Sequence, residues 1–262
     1  ETSERLFRQH CKPLHGFTLV ELLVVVAIIA LLIAILLPAL SEARWVATRT
    51  RCATSVHGLV NAMHTYGAEW NDELPLGYHA IFGVGKQYNY VLCRAGNNNV
   101  SWINWGYLYQ AEAIPDPREL YCPANTIPSL TYNYRGDEDF DNPWPPTTSA
   151  STAAATRVGY SARPVAKWDQ MNGLAEPLPR GSRMESGAAI VSDVSSADAF
   201  VDNAHDRGVN VGYYDGSTDW TPREELEPTF ALVDYQGFND DYDPLFLDED
   251  DDTCLWRRLD RD

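Results

Sequence analysis

Six histidines, five cysteines and a surplus of carboxylates are the groups in this 262-residue chain equipped to move protons or hold metal ions. His205 is followed by nine residues and then Asp215-Gly216. With Asp193 or Asp215 and a serine, His205 could be arranged as a hydrolytic triad, the imidazole serving as general base. Nothing selects the nucleophile, however, and no GxSxG, HExxH or Walker A pattern occurs. His57 and His64 are seven residues apart and share one helical face, but no third ligand follows at a metal spacing, so they read as exposed or packing residues. The carboxylates suggest calcium at two places. Asn239, Asp241 and Asp243 alternate as in a calcium loop, and so do Asp137, Asp139 and Asp141. Neither has the glycine at loop position six: Pro244 and Asn142 stand there, and only the first has an acid at position twelve, Asp250. The reading is therefore a protein that is not an enzyme, with no metal site and no required cofactor, calcium being the one ion the pattern admits.

The elements that would position these groups begin with an apolar run. Residues 22–40 are nineteen positions with no charged or polar side chain, and extending back to Phe17 adds only Thr18 and Glu21. About 20 helical residues cross a hydrocarbon core of about 30 Å. The run is apolar on every face, which disfavours a core helix, and it is longer than the apolar part of a secretory signal. Glu21 at its edge is costly in lipid and so is a functional candidate. Pro38 loosens a turn near the other end. Beyond it, Ala43, Ala47, Thr50, Ala53, Val56, Val60, Met63 and Tyr66 mark one stripe of a helix that continues to about Trp70, where Asn71-Asp72 ends it. A short amphipathic helix is expected in WINWGYLYQAEAI, and an exposed loop over residues 143–157. Strands are expected over Val158–Arg163, Ala188–Asp193, Val209–Tyr214 and Ser217–Thr221, the last two joined by a type I′ turn at Asp215-Gly216.

Charge separates the same regions. Residues 1–16 carry net +1, residues 17–70 are neutral, residues 71–238 carry −11 and residues 239–262 carry −7, for a total of −17. An acidic body without clustered Lys and Arg excludes nucleic acid as a partner. The acidic end reads as a solvated, mostly disordered tail.

The segment from His15 to Leu40, HGFTLVELLVVVAIIALLIAILLPAL, resembles the type IV prepilin N-terminus shared by pilins and type II secretion pseudopilins. The resemblance implies cleavage by a prepilin peptidase between Gly16 and Phe17, N-methylation of Phe17, and a role for Glu21 in assembly, paired with the terminal amine of an adjoining subunit. A second resemblance lies in HDRGVNVGYYDGSTDW, which is similar to the H-X9-DG region of many prepilin-type bacterial proteins and marks His205, Asp215 and Gly216. AIVSDV, CATSVHGLVNAMHTYGAEWNDELP and IPDPRELYCPA are similar to the same group.

The resemblance implies an α+β fold: a long N-terminal helix packed on a head with a small antiparallel sheet. The expected organisation is a leader over 1–16, a transmembrane helix half over 17–40, an amphipathic half over 41–70, a head over 71–238 and an acidic tail over 239–262. It also implies a single-pass inner-membrane protein with a periplasmic head, drawn from the membrane into a type IV pilus-like or type II secretion filament. Its partners would be prepilin peptidase, other pilin-like subunits of the same or different kind, an inner-membrane assembly platform and membrane lipid. The alternative is an anchored periplasmic or surface binding protein that never polymerises, with Trp102, Trp105, Trp144, Trp168 and Trp220 lining a binding face. Cys11 leaves with such a leader, so Cys52, Cys93, Cys122 and Cys254 remain on an oxidising side, where four cysteines allow three connectivities. No CxxC pair marks zinc. Cys93 and Cys122 flank the WINWGYLYQ segment and are the favoured disulfide pair.

Overall fold

The computed structural model describes residues 18–75, 78–81, 84–87, 91–96, 99–134, 142, 144–146, 155–163, 180–193, 198–230 and 255–261. The fold is α+β: a long N-terminal helix and a head of antiparallel sheets. Its compact units are Glu1–Trp45 and Val46–Asp262.

Helix α1 runs Leu19–Glu69 with Pro38 inside it. Thr18 starts the helix. Its carbonyl accepts from the Leu22 N–H at 3.2 Å, and its hydroxyl accepts from the Glu21 N–H at 3.2 Å. In return, Glu21 Oε2 accepts from the Thr18 N–H at 2.8 Å and the Thr18 hydroxyl at 2.7 Å. This reciprocal Thr-x-x-Glu arrangement satisfies donors that a helix start otherwise leaves orphaned. From Leu19 to Leu40 the large apolar side chains face outward, and the helix is long and apolar enough to cross a membrane.

In the second unit the buried face of α1 is Cys52, Val56, Leu59, Val60, Ala62, Met63, Tyr66 and Gly67. The stripe thus passes through Cys52 and Leu59, where the expected one ran through Ala53, which is half-buried. The helix ends as the sequence indicates. Asn71 and Asp72 take φ of 56° and 66°, and the Asp72 N–H closes on the Gly67 carbonyl at 2.7 Å. Asn and Asp tolerate this left-handed conformation better than most residues.

Among the described residues, three antiparallel sheets build the head. Strands β1 (Tyr78–Ile81) and β2 (Val84–Gln87) form a hairpin. Strands β3 (Val91–Gly96), β4 (Asn99–Trp102) and β5 (Ala155–Arg157) are ordered β4-β3-β5. Strands β6 (Tyr160–Ala162), β7 (Ala189–Asp193), β8 (Gly208–Tyr213) and β9 (Thr218–Pro222) follow in sequential order. This last sheet matches the four strands expected there. The first two were not legible, because Gly and Asn interrupt their alternation. Residues 155–157 also depart from the expected exposed loop: β5 pairs with β3, and Thr156 is buried.

Helices α2 (Trp105–Gln110), α3 (Asp198–Ala204), α4 (Arg223–Phe230) and α5 (Leu255–Leu259) and three short 3-10 turns, over Pro117–Leu120, Pro128–Leu130 and Gly181–Arg183, complete the described elements. The two-residue period of β8 divides its neighbours. Val209, Val211 and Tyr213 join Leu226 of α4 and Trp256 and Leu259 of α5 in one buried cluster. Gly212, on the opposite face, lies so close to α1 that a Cβ would meet the side chains of Val60 and Val56 at 2.6 and 2.7 Å. Of the expected solvated tail over 239–262, residues 255–261 are instead packed on the head, and residues 239–254 lie outside the described residues. Two large apolar side chains, Trp256 and Leu259, fold the chain end onto the sheet, and Asp260 accepts the Ala189 N–H at 2.8 Å while pairing with Arg163.

Candidate functional site

Four segments of the head converge on one buried point. Cys52 lies on the inner stripe of α1. Cys122 lies just beyond a short 3-10 turn over Pro117–Leu120. Asp193 is the last residue of β7, and His205 directly follows α3. All four are buried, and one ligand atom from each lies within 4.8 Å of the others. His205 Nε2 is 3.4 Å from Cys122 Sγ and 3.3 Å from Asp193 Oδ2. Asn210, on the α1 side of β8, donates its backbone N–H and its side-chain Nδ2 to Asp193 Oδ2 at 2.7 and 2.8 Å. The other oxygen, Asp193 Oδ1, is buried without a hydrogen-bond partner. The ring of Trp220 meets His205 edge-on, and Arg49 stacks over that Trp220 ring at 4.3 Å.

Gly159 lets Cys122 reach the point. Its N–H donates to the Leu120 carbonyl at 2.8 Å, and a Cβ there would stand 2.5 Å from the Cys122 nitrogen. A hydrogen bond from the Cys122 thiol lowers Cys52 to about 6 against the opposing effect of burial. Cys122, donating to Cys52 and buried near Asp193, is pushed far up. Burial disfavours the charged form of His205, but hydrogen bonds to Asp193 and Cys52 outweigh it and raise the imidazole to about 10.

The sequence offered His205 with either Asp193 or Asp215, and the structure brings Asp193 to it; that Cys52 and Cys122 join them was not legible. The sequence paired Cys122 with Cys93, yet both thiols are free. Cys93 lies on β3 beside Thr156, where burial raises its pKa to about 11, whereas Cys122 faces Cys52 and His205. Cys254 lies outside the described residues.

Asp215 and Gly216 stand apart from this cluster, in the β8–β9 turn. The Gly216 N–H donates to the Tyr213 carbonyl at 3.0 Å and the Tyr213 N–H to the Ser217 carbonyl at 2.9 Å. Only Gly216 has a positive φ, 87°. The turn is thus a three-residue loop ending in a left-handed glycine bulge, not the expected type I′ turn with two left-handed residues. Asp215 Oδ1 accepts the Ser217 N–H at 2.8 Å and also takes the Ser217 hydroxyl. The two helical histidines act here. His57 Nδ1 lies 2.8 Å from the Gly216 carbonyl and His64 Nε2 lies 2.8 Å from the Tyr214 carbonyl. A carbonyl only accepts, so each of these ring nitrogens carries a proton.

The N-terminal site lies partly outside the description: Gly16 and Phe17 precede the first described residue, and Glu21 caps the helix through Thr18. Residues 13–37 match the family model of the prokaryotic N-terminal methylation motif. The N-terminal segment is thus prepilin-like. The matched segment joins the apolar part of α1, consistent with membrane anchoring. No curated protein matches the chain, and no solved structure does.

The remaining candidates divide. Trp105 is fully buried, and Trp102 and Trp144 pack against the core, so these three do not form an open aromatic face. Trp168 lies outside the described residues, as do Asp137, Asp139, Asp141, Asn239, Asp241, Asp243, Pro244 and Asp250 of the calcium patterns. Asn142 is buried, with its amide hydrogen-bonded to the backbone of Thr131 and Arg157.

Proposed function

We propose that the chain is a structural pilin-like subunit, cut by a prepilin peptidase between Gly16 and Phe17, methylated on the Phe17 amine, and assembled through its N-terminal helix into a type IV pilus-like or type II secretion filament. The prepilin-type motif over residues 13–37 carries this reading. The outward-facing apolar side chains of the same helix support it, since they require lipid before assembly and neighbouring helices after it. The head would lie in the periplasm while the precursor is stored in the inner membrane. An assembly platform and other pilin-like subunits are the implied partners. The work of such a subunit is assembly rather than catalysis.

Glu21 would have two tasks, capping the helix and offsetting a neighbour's Phe17 amine. Glu21→Gln separates them, because a glutamine preserves the capping box and removes the charge. Anti-head immunoblots of membrane and sheared-surface fractions read the result. Gly16→Leu is expected to remain as the longer precursor. Glu21→Gln and Glu21→Ala are both expected to insert and be cleaved but to be missing from filaments. Normal assembly of Glu21→Gln alone would assign Glu21 to the cap and remove the charge pairing. Wild-type chain that is processed but never found in sheared material would favour an anchored protein that does not polymerise.

A further inference from the structure

We propose that Cys52, Cys122, Asp193 and His205 form a closed, four-coordinate site for a divalent transition metal, zinc by ligand type, that ties helix α1 to the head. Two of the separations match the edges of a coordination shell, and the whole set is close to that size. Bonds of about 2.3 Å to sulfur and about 2.0–2.1 Å to nitrogen and oxygen give tetrahedral edges of about 3.3–3.8 Å. His205 Nε2 lies 3.4 Å from Cys122 Sγ and 3.3 Å from Asp193 Oδ2, and all four ligand atoms fall within 4.8 Å of one another.

Hydrogen bonding alone accounts poorly for this geometry. A ring nitrogen can make one directed bond, whereas His205 Nε2 faces a sulfur, a carboxylate oxygen and, at 3.5 Å, Asn210 Nδ2. Asp193 is fully buried; its Oδ2 faces His205 and Asn210, yet its Oδ1 has no hydrogen-bond partner. A buried carboxylate is costly unless it is paired, fully hydrogen-bonded or bound to metal. Its Oδ2 accepts two donors from Asn210, the kind of outer contact that fixes a ligating carboxylate. Two sulfurs with an imidazole and a carboxylate select a borderline-soft ion such as zinc over calcium or magnesium.

The site is structural. Its four protein ligands fill a tetrahedron, leaving no position for a substrate. They come from α1, the segment after the first 3-10 turn, the end of β7 and the residue after α3. Metal bound there would join elements distant in sequence, so its binding energy contributes to folding of the head.

The full chain, purified in detergent without a histidine tag, tests the proposal by elemental analysis and zinc K-edge X-ray absorption. About one equivalent of zinc with two sulfur neighbours is expected, and cobalt substitution should give the intense bands of a tetrahedral thiolate site. Asn210→Ala should weaken zinc by about 10–100-fold. Cys122→Ser should lose it, and Cys93→Ser should retain it. The wild-type spectra need no variant, so a misfolded Cys122→Ser leaves the test intact. Metal-free chain that takes up neither zinc nor cobalt would overturn the proposal. A Cys52–Cys122 disulfide in the exported protein, found by non-reducing peptide mapping, would overturn it as well.

Discussion

Gly216 shows how a single residue sets the shape of a turn. Its φ of 87° suits glycine, and no atom lies within 4 Å of where a Cβ would be. The cost of a side chain there is therefore conformational and not steric. Gly216→Val should destabilise the head by about 1–3 kcal/mol, because a β-branched residue resists positive φ. Gly216→Asn should cost much less. Asp215→Asn should be mild, since its amide oxygen can still accept the Ser217 N–H that Asp215 accepts at 2.8 Å. Thermal unfolding of the full chain in detergent, followed by near-ultraviolet circular dichroism, checks all three. An unchanged midpoint for Gly216→Val would remove the strained-glycine account, and a large loss for Asp215→Asn would show that its charge matters.

Two short elements hold the head at its edges. At the end of α1, Asp72 accepts the Ser182 N–H at 2.7 Å, and hydrogen bonding to Ser182 holds its carboxyl below the ordinary range. A depressed carboxylate adds stability above its unfolded pKa of about 3.9 and loses it as pH falls through the folded value. The midpoint difference between wild type and Asp72→Asn should therefore be constant near neutrality and shrink below about pH 4. A gap that persists at pH 2 would assign the effect to something other than the charge. At the chain end, α5 places Trp256 among Val209, Val211, Tyr213 and Leu226. Trp256→Ala should cost about 3–5 kcal/mol, the range for emptying a large aromatic site. Denaturant unfolding of the full chain measures this, and a loss below 1 kcal/mol would mean that the terminal helix is dispensable.

For the whole molecule, the outward-facing apolar side chains from Leu19 to Leu40 decide how the chain behaves in a cell. Leu19, Ile29 and Leu32 are 78%, 50% and 54% exposed, far more apolar surface than one protein in water tolerates over so long a run. The full chain should remain in the membrane pellet after alkaline carbonate extraction. Arginine near the centre of a spanning helix costs about 2.5–3.5 kcal/mol, so the double change Ile29→Arg with Leu32→Arg should release it. Carbonate release of the wild type would contradict the membrane reading.

The sequence by itself determined what depends on local pattern. The uninterrupted apolar run, the stop at Asn71-Asp72 and the strand-like runs that build β6 to β9 are all governed by neighbours a few residues away. The β8–β9 turn was legible as a turn but not by type, because an Asp-Gly pair fits more than one loop, and Gly216 alone took positive φ. The cluster of Cys52, Cys122, Asp193 and His205 was decided only by the tertiary structure. Its members share no spacing rule, and they meet because α1, the segment after Leu120, β7 and the residue following α3 pack around the same buried face. The chain end was decided in the same way. Its acidic composition favours solvation, but Trp256 and Leu259 find a complementary apolar face on the sheet, and burying them outweighs leaving the segment free.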